Sequence, residues 1–555
     1  MARKASRREF LKAGLGVLGV AVLAACTPKA TPTTPPKVEP TKEATPKPTA
    51  GPAATENVSN RNLQQIARLA DNKVTLTAWC TPVETQTEVK GFNDQLFDKK
   101  MEELTNIHIE WKHSAAARDQ AAVTAAVDLL MASGELPDLV VGNFLADPVF
   151  TRYGMKGAFE PLDDYIGPNL GAFFKAHPLE RVGDTAADGH LYMFPNWAAS
   201  IPWAGPYVRQ DWLDEVGMSV PETMEQYYEL LKAWKQKDPN RIPLTRDPLW
   251  IIWQWGVGAP AFYFDGLYHD GNEVKYGPMQ PGYAEGLVYI QKLLKEGLLD
   301  PEYAQLTEDM LVQRMTTVSG SALVWSAHYT GACKLMNKGV TDCPLRLIPA
   351  PKGPYGRSEA FWGDMGGLGM ANGAAISAKS KNKELAARYF DLYYSNSGAT
   401  LFSFGVYGDT YTEKDGKREY TDKVAKHSTL TAVQYLWNYV SPLTIGPGVR
   451  PAEAVVAMRG GVAELALNSW GKMNYDLLLP VLSLSDEEQA AVQESMPDIK
   501  TLTAEVTTGI ITGQKSFDDL RNAVETFKSR GVDKALKAYQ AGFDRWLAKK
   551  AKLGL

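Results

Sequence analysis

The chain has 555 residues, of which 45% are apolar and 22% charged, and its 59 basic residues face 64 acidic ones. That composition can bury a substantial core and excludes global disorder, while a formal charge of −5 supplies no basic field for holding a nucleic acid. Four cysteines and seven histidines exclude a disulfide scaffold and a metal framework built from those side chains.

The N-terminus carries Arg3, Lys4, Arg7, Arg8 and Lys12, then the uncharged run Ala13 to Ala25, then Cys26. A basic segment before a short apolar run predicts a signal peptide over residues 1–25, too short to span a bilayer as a helix. Ser6-Arg7-Arg8-Glu9-Phe10-Leu11-Lys12 resembles a twin-arginine export signature. Leu23-Ala24-Ala25-Cys26 resembles a lipobox, which makes Cys26 the expected lipid attachment point and places the mature chain outside the cytoplasm, anchored at the cell membrane. Without residues 1–25 the formal charge moves from −5 to −9. Residues 27–60 contain eight Pro and eight Thr and almost no large apolar side chains, so 26–60 is read as a lipidated cysteine and a tether. In polyproline II such a tether reaches about 100 Å.

From Val74 the pattern turns globular. Val74, Leu76, Ala78 and Cys80 alternate with Thr75, Thr77 and Trp79 as in a strand, and Cys80 is read as a small buried hydrophobe. A helix follows on Phe97, Met101 and Leu104, then a strand on Ile107, Ile109 and Trp111, an Ala-rich helix from about Asp119 to Ala132, and a buried strand at Leu139-Val140-Val141. Strand, helix, strand, helix, strand predicts parallel right-handed crossovers and an α/β lobe. Thr223 and Gln226 predict a capped helix to about Gln236, and further helices are expected over Tyr283 to Glu296 and Asp309 to Thr317. The apolar run Ser321 to Trp325 precedes another strand-helix unit, Ala374-Ala375-Ile376 and Lys383 to Ser395. This late return of the α/β pattern predicts that the first lobe is built from separated segments. Cys333 and Cys343 are either a loop-closing disulfide or two buried thiols.

Several stretches together resemble the extracellular solute-binding proteins of ABC importers, in the long lipoprotein branch associated with oligosaccharide uptake. They are Gly134-Glu135-Leu136-Pro137-Asp138, Tyr207-Val208-Arg209-Gln210-Asp211-Trp212-Leu213 with Val220-Pro221-Glu222-Thr223, and Glu296-Gly297-Leu298-Leu299-Asp300. After these come Ala375 to Glu384, Gly405-Val406-Tyr407-Gly408 and Ile511 to Leu520. The resemblance implies an α/β, type II two-lobed fold with discontinuous lobes joined by crossing hinge strands, and no catalysis. It also implies an oligosaccharide ligand delivered to an ABC permease. The expected division is lobe one at 61–206 and 371–410 and lobe two at 207–370 and 411–555, in a monomer. Some relatives carry a Gly- and Asp-rich loop after the helix that matches the one expected from Thr223. Here Lys237-Asp238-Pro239-Asn240-Arg241-Ile242-Pro243 shows no set of six to eight oxygens, so no bound calcium, other metal or cofactor is expected.

A pyranose presents an apolar face and an edge of hydroxyls, so its site needs aromatic platforms beside fixed polar groups. Trp197 with Asn196, Trp203, Trp325 and Trp362 fall on expected loops or strand ends and are the stacking candidates. Arg209 and Asp364 are candidates for the polar edge, although Arg209 could equally pair with Asp211 or Asp214 and Asp364 could cap a turn. Tyr407, His328 and Glu84 complete the set, Glu84 because ligands of α/β sheets gather beyond strand carboxyl ends. Trp250, Trp253 and Trp255 read as core more readily than as platform. The glycines at 363, 366, 367, 369 and 373 read as a flexible crossing, since no Gly-Lys-Ser/Thr ending makes them a phosphate loop. Rival readings are peptide capture on the same fold, a surface-anchored glycan-degrading enzyme working through two carboxylates, and a structural surface protein.

Overall fold

The computed structural model describes residues 60–80, 92–114, 120–142, 149–199, 201–260, 265–360, 372–430, 432–441 and 446–555. Cys26, Glu84, Trp362 and Asp364 lie outside the described residues, as do the signal, the tether and the glycines from 363 to 369. The strands are β1 (Val74–Cys80), β2 (Ile107–His113), β3 (Leu139–Gly142), β4 (Phe194–Ala198), β5 (Ala204–Arg209), β6 (Ile242–Thr245) and β7 (Leu267–Asp270). They continue with β8 (Glu273–Tyr276), β9 (Ser319–Trp325), β10 (Leu345–Leu347), β11 (Gly373–Ile376), β12 (Tyr411–Lys414), β13 (Lys417–Tyr420) and β14 (Gly448–Arg450).

Six strands form the first sheet in the order β14-β4-β11-β3-β1-β2, with β11 antiparallel to both neighbours and the other pairings parallel. Leu76, Ala78, Cys80, Leu139, Val141, Ala374 and Ile376 turn to one core. Trp79, Val140 and Ala375 turn to another, against Val123 and Val127 of the helix Gln120–Ser133. Cover on both faces explains why the short strands read as almost continuously apolar. Asp138 stitches this sheet together. Its carboxylate accepts from the Thr77 amide and hydroxyl (both 2.9 Å) and from the Ser380 hydroxyl (2.5 Å), and its carbonyl accepts from the Ser377 amide at 2.9 Å. Two of the sequence stretches that carry the family resemblance, around Gly134 and around Ser377, therefore meet at one carboxylate.

The second sheet, β10-β5-β9-β6, is mixed and carries the larger core, with Tyr207, Tyr227, Trp234, Trp250 and Trp253 fully buried. Trp250, Trp253 and Trp255 belong to this core, as the blander reading had it. The Thr223 helix runs Met224–Lys237, and Thr223 Oγ1 accepts from the Gln226 amide. The reciprocal Gln226 bond goes to the amide of Glu222, one residue before the cap. The helix expected to reach Ser395 ends at Asp391, and Leu392–Tyr394 tightens into a 3-10 turn, because Ser395 caps the next helix, Asn396–Phe404.

The chain passes between the two sheets three times: from β4 to β5, from β10 to β11, and after β14. Sheet membership shifts two of the expected boundaries. β5 already belongs to the second sheet from Ala204, and β14 returns the chain to the first sheet as far as Arg450, beyond the expected change at 410. The last three helices, Asp486–Ile511, Phe517–Ser529 and Val532–Lys552, pack on the second lobe, where Thr503 and Thr507 bond the Tyr276 and Tyr283 hydroxyls. The final helix also reaches the first lobe. Lys549 Nζ donates to the Thr185 and Ala186 carbonyls at 2.7 and 2.9 Å, and nearby the Ala187 amide donates to Ser483 Oγ while Lys156 pairs with Asp486.

Cys333 and Cys343 are buried thiols whose sulfurs lie in contact. In an oxidising compartment they are expected to close the intervening loop, for about 2 to 3 kcal/mol of stability. Denatured exported protein with Cys26 lipidated should then take up one maleimide, at Cys80, before reduction and three after it; three without reductant would show that the Cys333 and Cys343 thiols persist.

Candidate functional site

Topology decides which edges can face a ligand. In the first sheet β1, β2, β3, β4 and β14 run one way and β11 the other, so Cys80, His113, Gly142, Ala198, Arg450 and Gly373 share an edge. In the second, Thr245 and Trp325 end the parallel β6 and β9 at the edge where β5 begins at Ala204. Residues 199–203 connect the two edges directly, so they bound one cleft, lined on both sides mainly by strand carboxyl ends.

Three of the expected tryptophans stand on these edges. Trp197 is half-buried on β4, with the His177 ring 4.3 Å away and the Phe173 ring 6.0 Å away. Trp203 is 39% exposed, the most exposed tryptophan among the described residues. Trp325 pairs across β5 with Ala204, and the following amide, Ser326 N–H, donates to the Trp203 carbonyl at 2.7 Å. Trp203 and Trp325 thus lie on adjoining backbone at one sheet edge, while Trp197 stands on the opposite edge.

Beneath Trp325 lies a buried charged cluster that the sequence reading did not assemble. His328 Nδ1 accepts the Trp325 amide at 3.0 Å and faces Arg246 Nη1 at 3.1 Å. Its Nε2 lies 2.5 Å from Glu308 Oε2, and Glu308 Oε1 accepts from Arg246 Nη2 at 2.8 Å. Two donors converge on Nδ1, so the proton sits on Nε2 and the ring is neutral. Burial, first, and the Arg246 charge hold the His328 pKa below its ordinary 6.5, against the opposing pull of Glu308. Arg246 adopts a left-handed φ of 70°, a conformation uncommon for a side chain of its size.

The other candidates separate. His328 is 2% exposed with both ring nitrogens engaged, so it holds Trp325 in place and is not itself open to a ligand. Arg209 is buried at the far end of β5 from Trp203; Nε bonds Asp211 Oδ1 at 2.9 Å and the guanidinium lies over Trp212, the structural pairing foreseen as its alternative. Asn196 is buried on β4 and donates to the Gly446 carbonyl at 2.6 Å, tying down the approach to β14. Tyr407 lies under the Arg61 guanidinium, 4.3 Å from its ring centroid, beside Tyr411. Arg459, which sequence reading passed over, stacks on Trp203 with Cζ 3.1 Å from the ring centroid and donates through Nη1 to the carbonyls of Ile201 (3.3 Å) and Pro202 (3.1 Å). More than 250 residues separate it from its partners, and no local pattern signals such a contact. Among the described residues no group of three or more His, Cys, Asp or Glu is placed to hold a metal, and no helix is long and apolar enough to cross a membrane.

Two lobes are thus joined by three crossings, with tryptophans near facing sheet edges. Residues 84–400 match the bacterial extracellular solute-binding protein family, and the chain belongs to it. It is 24% identical over 368 residues to the fructooligosaccharide ABC transporter substrate-binding protein FusA of Streptococcus pneumoniae, a match covering 61% of this chain and 65% of FusA, just under two thirds of that protein. It is also 24% identical over 372 residues to the polygalacturonan/rhamnogalacturonan-binding protein YtcQ of Bacillus subtilis, covering 62% of this chain and 71% of YtcQ. Among solved structures, the alginate-binding protein AlgQ2 without calcium ion superposes with a TM-score of 0.68 at 25% identity, covering 86% of this chain and 99% of that one. The HMO-binding solute-binding protein of Bifidobacterium longum infantis gives 0.69 at 18% identity over 86% of this chain and 99% of its own, a likeness of fold.

His328→Leu removes the acceptor that the Trp325 amide uses and the contact to Glu308, and should cost about 2 to 4 kcal/mol. The unfolded chain binds the His328 proton more readily than the native one, so this contribution is complete above about pH 6.5 and falls as pH drops below it. Urea denaturation between pH 5 and 8 should show a declining stability in the native protein and a flatter profile in the variant.

Proposed function

We propose that the protein is a lipid-anchored, extracytoplasmic capture subunit that holds an oligosaccharide between its lobes and delivers it to an ABC permease. The observation that carries this reading is the placing of Trp197 on one cleft edge and of Trp203 and Trp325 on the other, joined by a short crossing. Flat rings on both lobes suit a chain of pyranoses, whose C–H faces stack while hydroxyls at the rim take hydrogen bonds. The relatives named for fructooligosaccharide, polygalacturonan and alginate support a sugar ligand, and the signal and lipobox at Cys26 support anchoring outside the cytoplasm.

The mechanism is a two-state clamp. Open and closed arrangements interconvert about the three crossings, and a ligand touching both lobes favours the closed one by its differential affinity alone. Nothing covalent happens to the sugar, and the permease reads closure. The protein works as a monomer without metal or cofactor.

A thermal-shift panel of mono- and oligosaccharides beside short peptides tests the reading. A ligand at 100 times its dissociation constant adds about 2.7 kcal/mol of stability. The expected result is a shift confined to related oligosaccharides; a shift with peptides alone would transfer the function to peptide uptake, and new reducing ends after prolonged incubation would make the protein an enzyme. Trp325→Ala and Trp197→Ala should each weaken the bound oligosaccharide roughly tenfold or more in calorimetric titration, because one platform is worth about 1.4 kcal/mol or more.

A further inference from the structure

We infer that the captured sugar carries a carboxylate and that Arg459 receives it. This rests on oligosaccharide capture and names the chemical class, an oligosaccharide containing uronate. Arg459 ends the helix Ala452–Arg459, which follows β14 into the third crossing, and is 8% exposed. Its Nη1 is taken by the carbonyls of Ile201 and Pro202 in the first crossing, and its plane covers one face of Trp203. Nε and Nη2 have no hydrogen-bond partner among the described residues. These two nitrogens form one edge of the guanidinium, the edge that accepts a carboxylate through two parallel bonds.

The charge is as exposed to question as the donors. The other deeply placed guanidiniums of the second lobe each have an anion: Asp211 for Arg209, Glu308 for Arg246, Asp300 for Arg314. Arg459 has none among the described residues, and burial alone pushes its pKa down to about 9. Hydroxyls of a neutral sugar would satisfy the two N–H donors but leave the buried charge uncompensated, whereas a carboxylate does both. Since Arg459 covers one face of Trp203, a uronate carboxylate meets the free guanidinium edge from beside the ring and not by stacking on that face. That edge is closed to solvent in this conformation. Movement between the helix Ala452–Arg459 and residues 199–203, two of the three crossings, opens it, so recognition of the acid is coupled to the clamp.

The test is calorimetric titration of the purified protein with tetragalacturonate and tetramannuronate, with the same tetramers reduced at carbon 6 to neutral sugars, and with a fructooligosaccharide. A uronate tetramer should bind at least about tenfold more tightly than its reduced form and lose affinity as salt rises. Arg459→Gln should weaken the uronate by about tenfold or more and the neutral sugar less than about twofold, while Arg459→Lys, which keeps the charge without the two-pronged edge, should fall between. Should Arg459→Gln not fold, the comparison of acidic and reduced tetramers in the native protein still decides. Preference for neutral sugars, or equal weakening of both by Arg459→Gln, overturns the acidic class and leaves oligosaccharide capture standing. Failure of every sugar to bind overturns the capture reading and this inference with it.

Discussion

The site depends first on a covalent length. β4 ends at Ala198 in one sheet and β5 begins at Ala204 in the other, so the two cleft edges are separated by no more than about 20 Å of extended backbone. Within that reach the edges can rotate but cannot drift apart, and Trp197 and Trp203 stay within the span of a few sugar rings whatever the lobes do. The register of β5 with β9 then sets the end of β9, with Trp325, opposite Ala204 at the same edge.

Fixing a ring so that it can serve as a platform requires more than its own packing. Trp325 is only half-buried, and its backbone is held by a neutral histidine that lies between a carboxylate and a guanidinium inside the second lobe. Such a cluster is expensive to bury and is tolerated because each member satisfies another. Removing one disturbs the charge balance of the others, so the support of the Trp325 backbone depends on the whole cluster.

Much of the fold is legible in sequence because it rests on local periodicity. The alternation at Val74 to Cys80, the capped helix after Thr223 and the late α/β unit at Ala374 all form where the pattern puts them. The limits lie where tertiary contacts decide. β14 is only three residues long and pairs with a strand some 250 residues earlier, so nothing local could extend the first lobe to Arg450. Trp197, Trp203 and Trp325 lie at or beside strand ends, where the sequence pattern puts them. The roles of the polar residues were not readable, because Arg209, Asn196 and His328 look alike in sequence whether they turn to a ligand or to a neighbour, and only the burial of their partners separates the cases. Arg459 was hidden for the opposite reason, since its environment is assembled from two distant crossings.

The C-terminal helix joins what the three crossings leave free. Its body belongs to the second lobe, yet Lys549 grips two carbonyls of the first, with Ser483 and Asp486 adding bonds on the same flank. A rotation that preserves these bonds has its axis along a line from the crossings to that flank, like a door hung on two hinges rather than one. The mouth of the cleft then widens on the opposite rim, which becomes the side where a long polymer can enter threaded lengthwise. A motion that breaks them instead makes the last turns of the chain a competitor of the ligand, so that the final few residues set affinity from a distance without touching sugar.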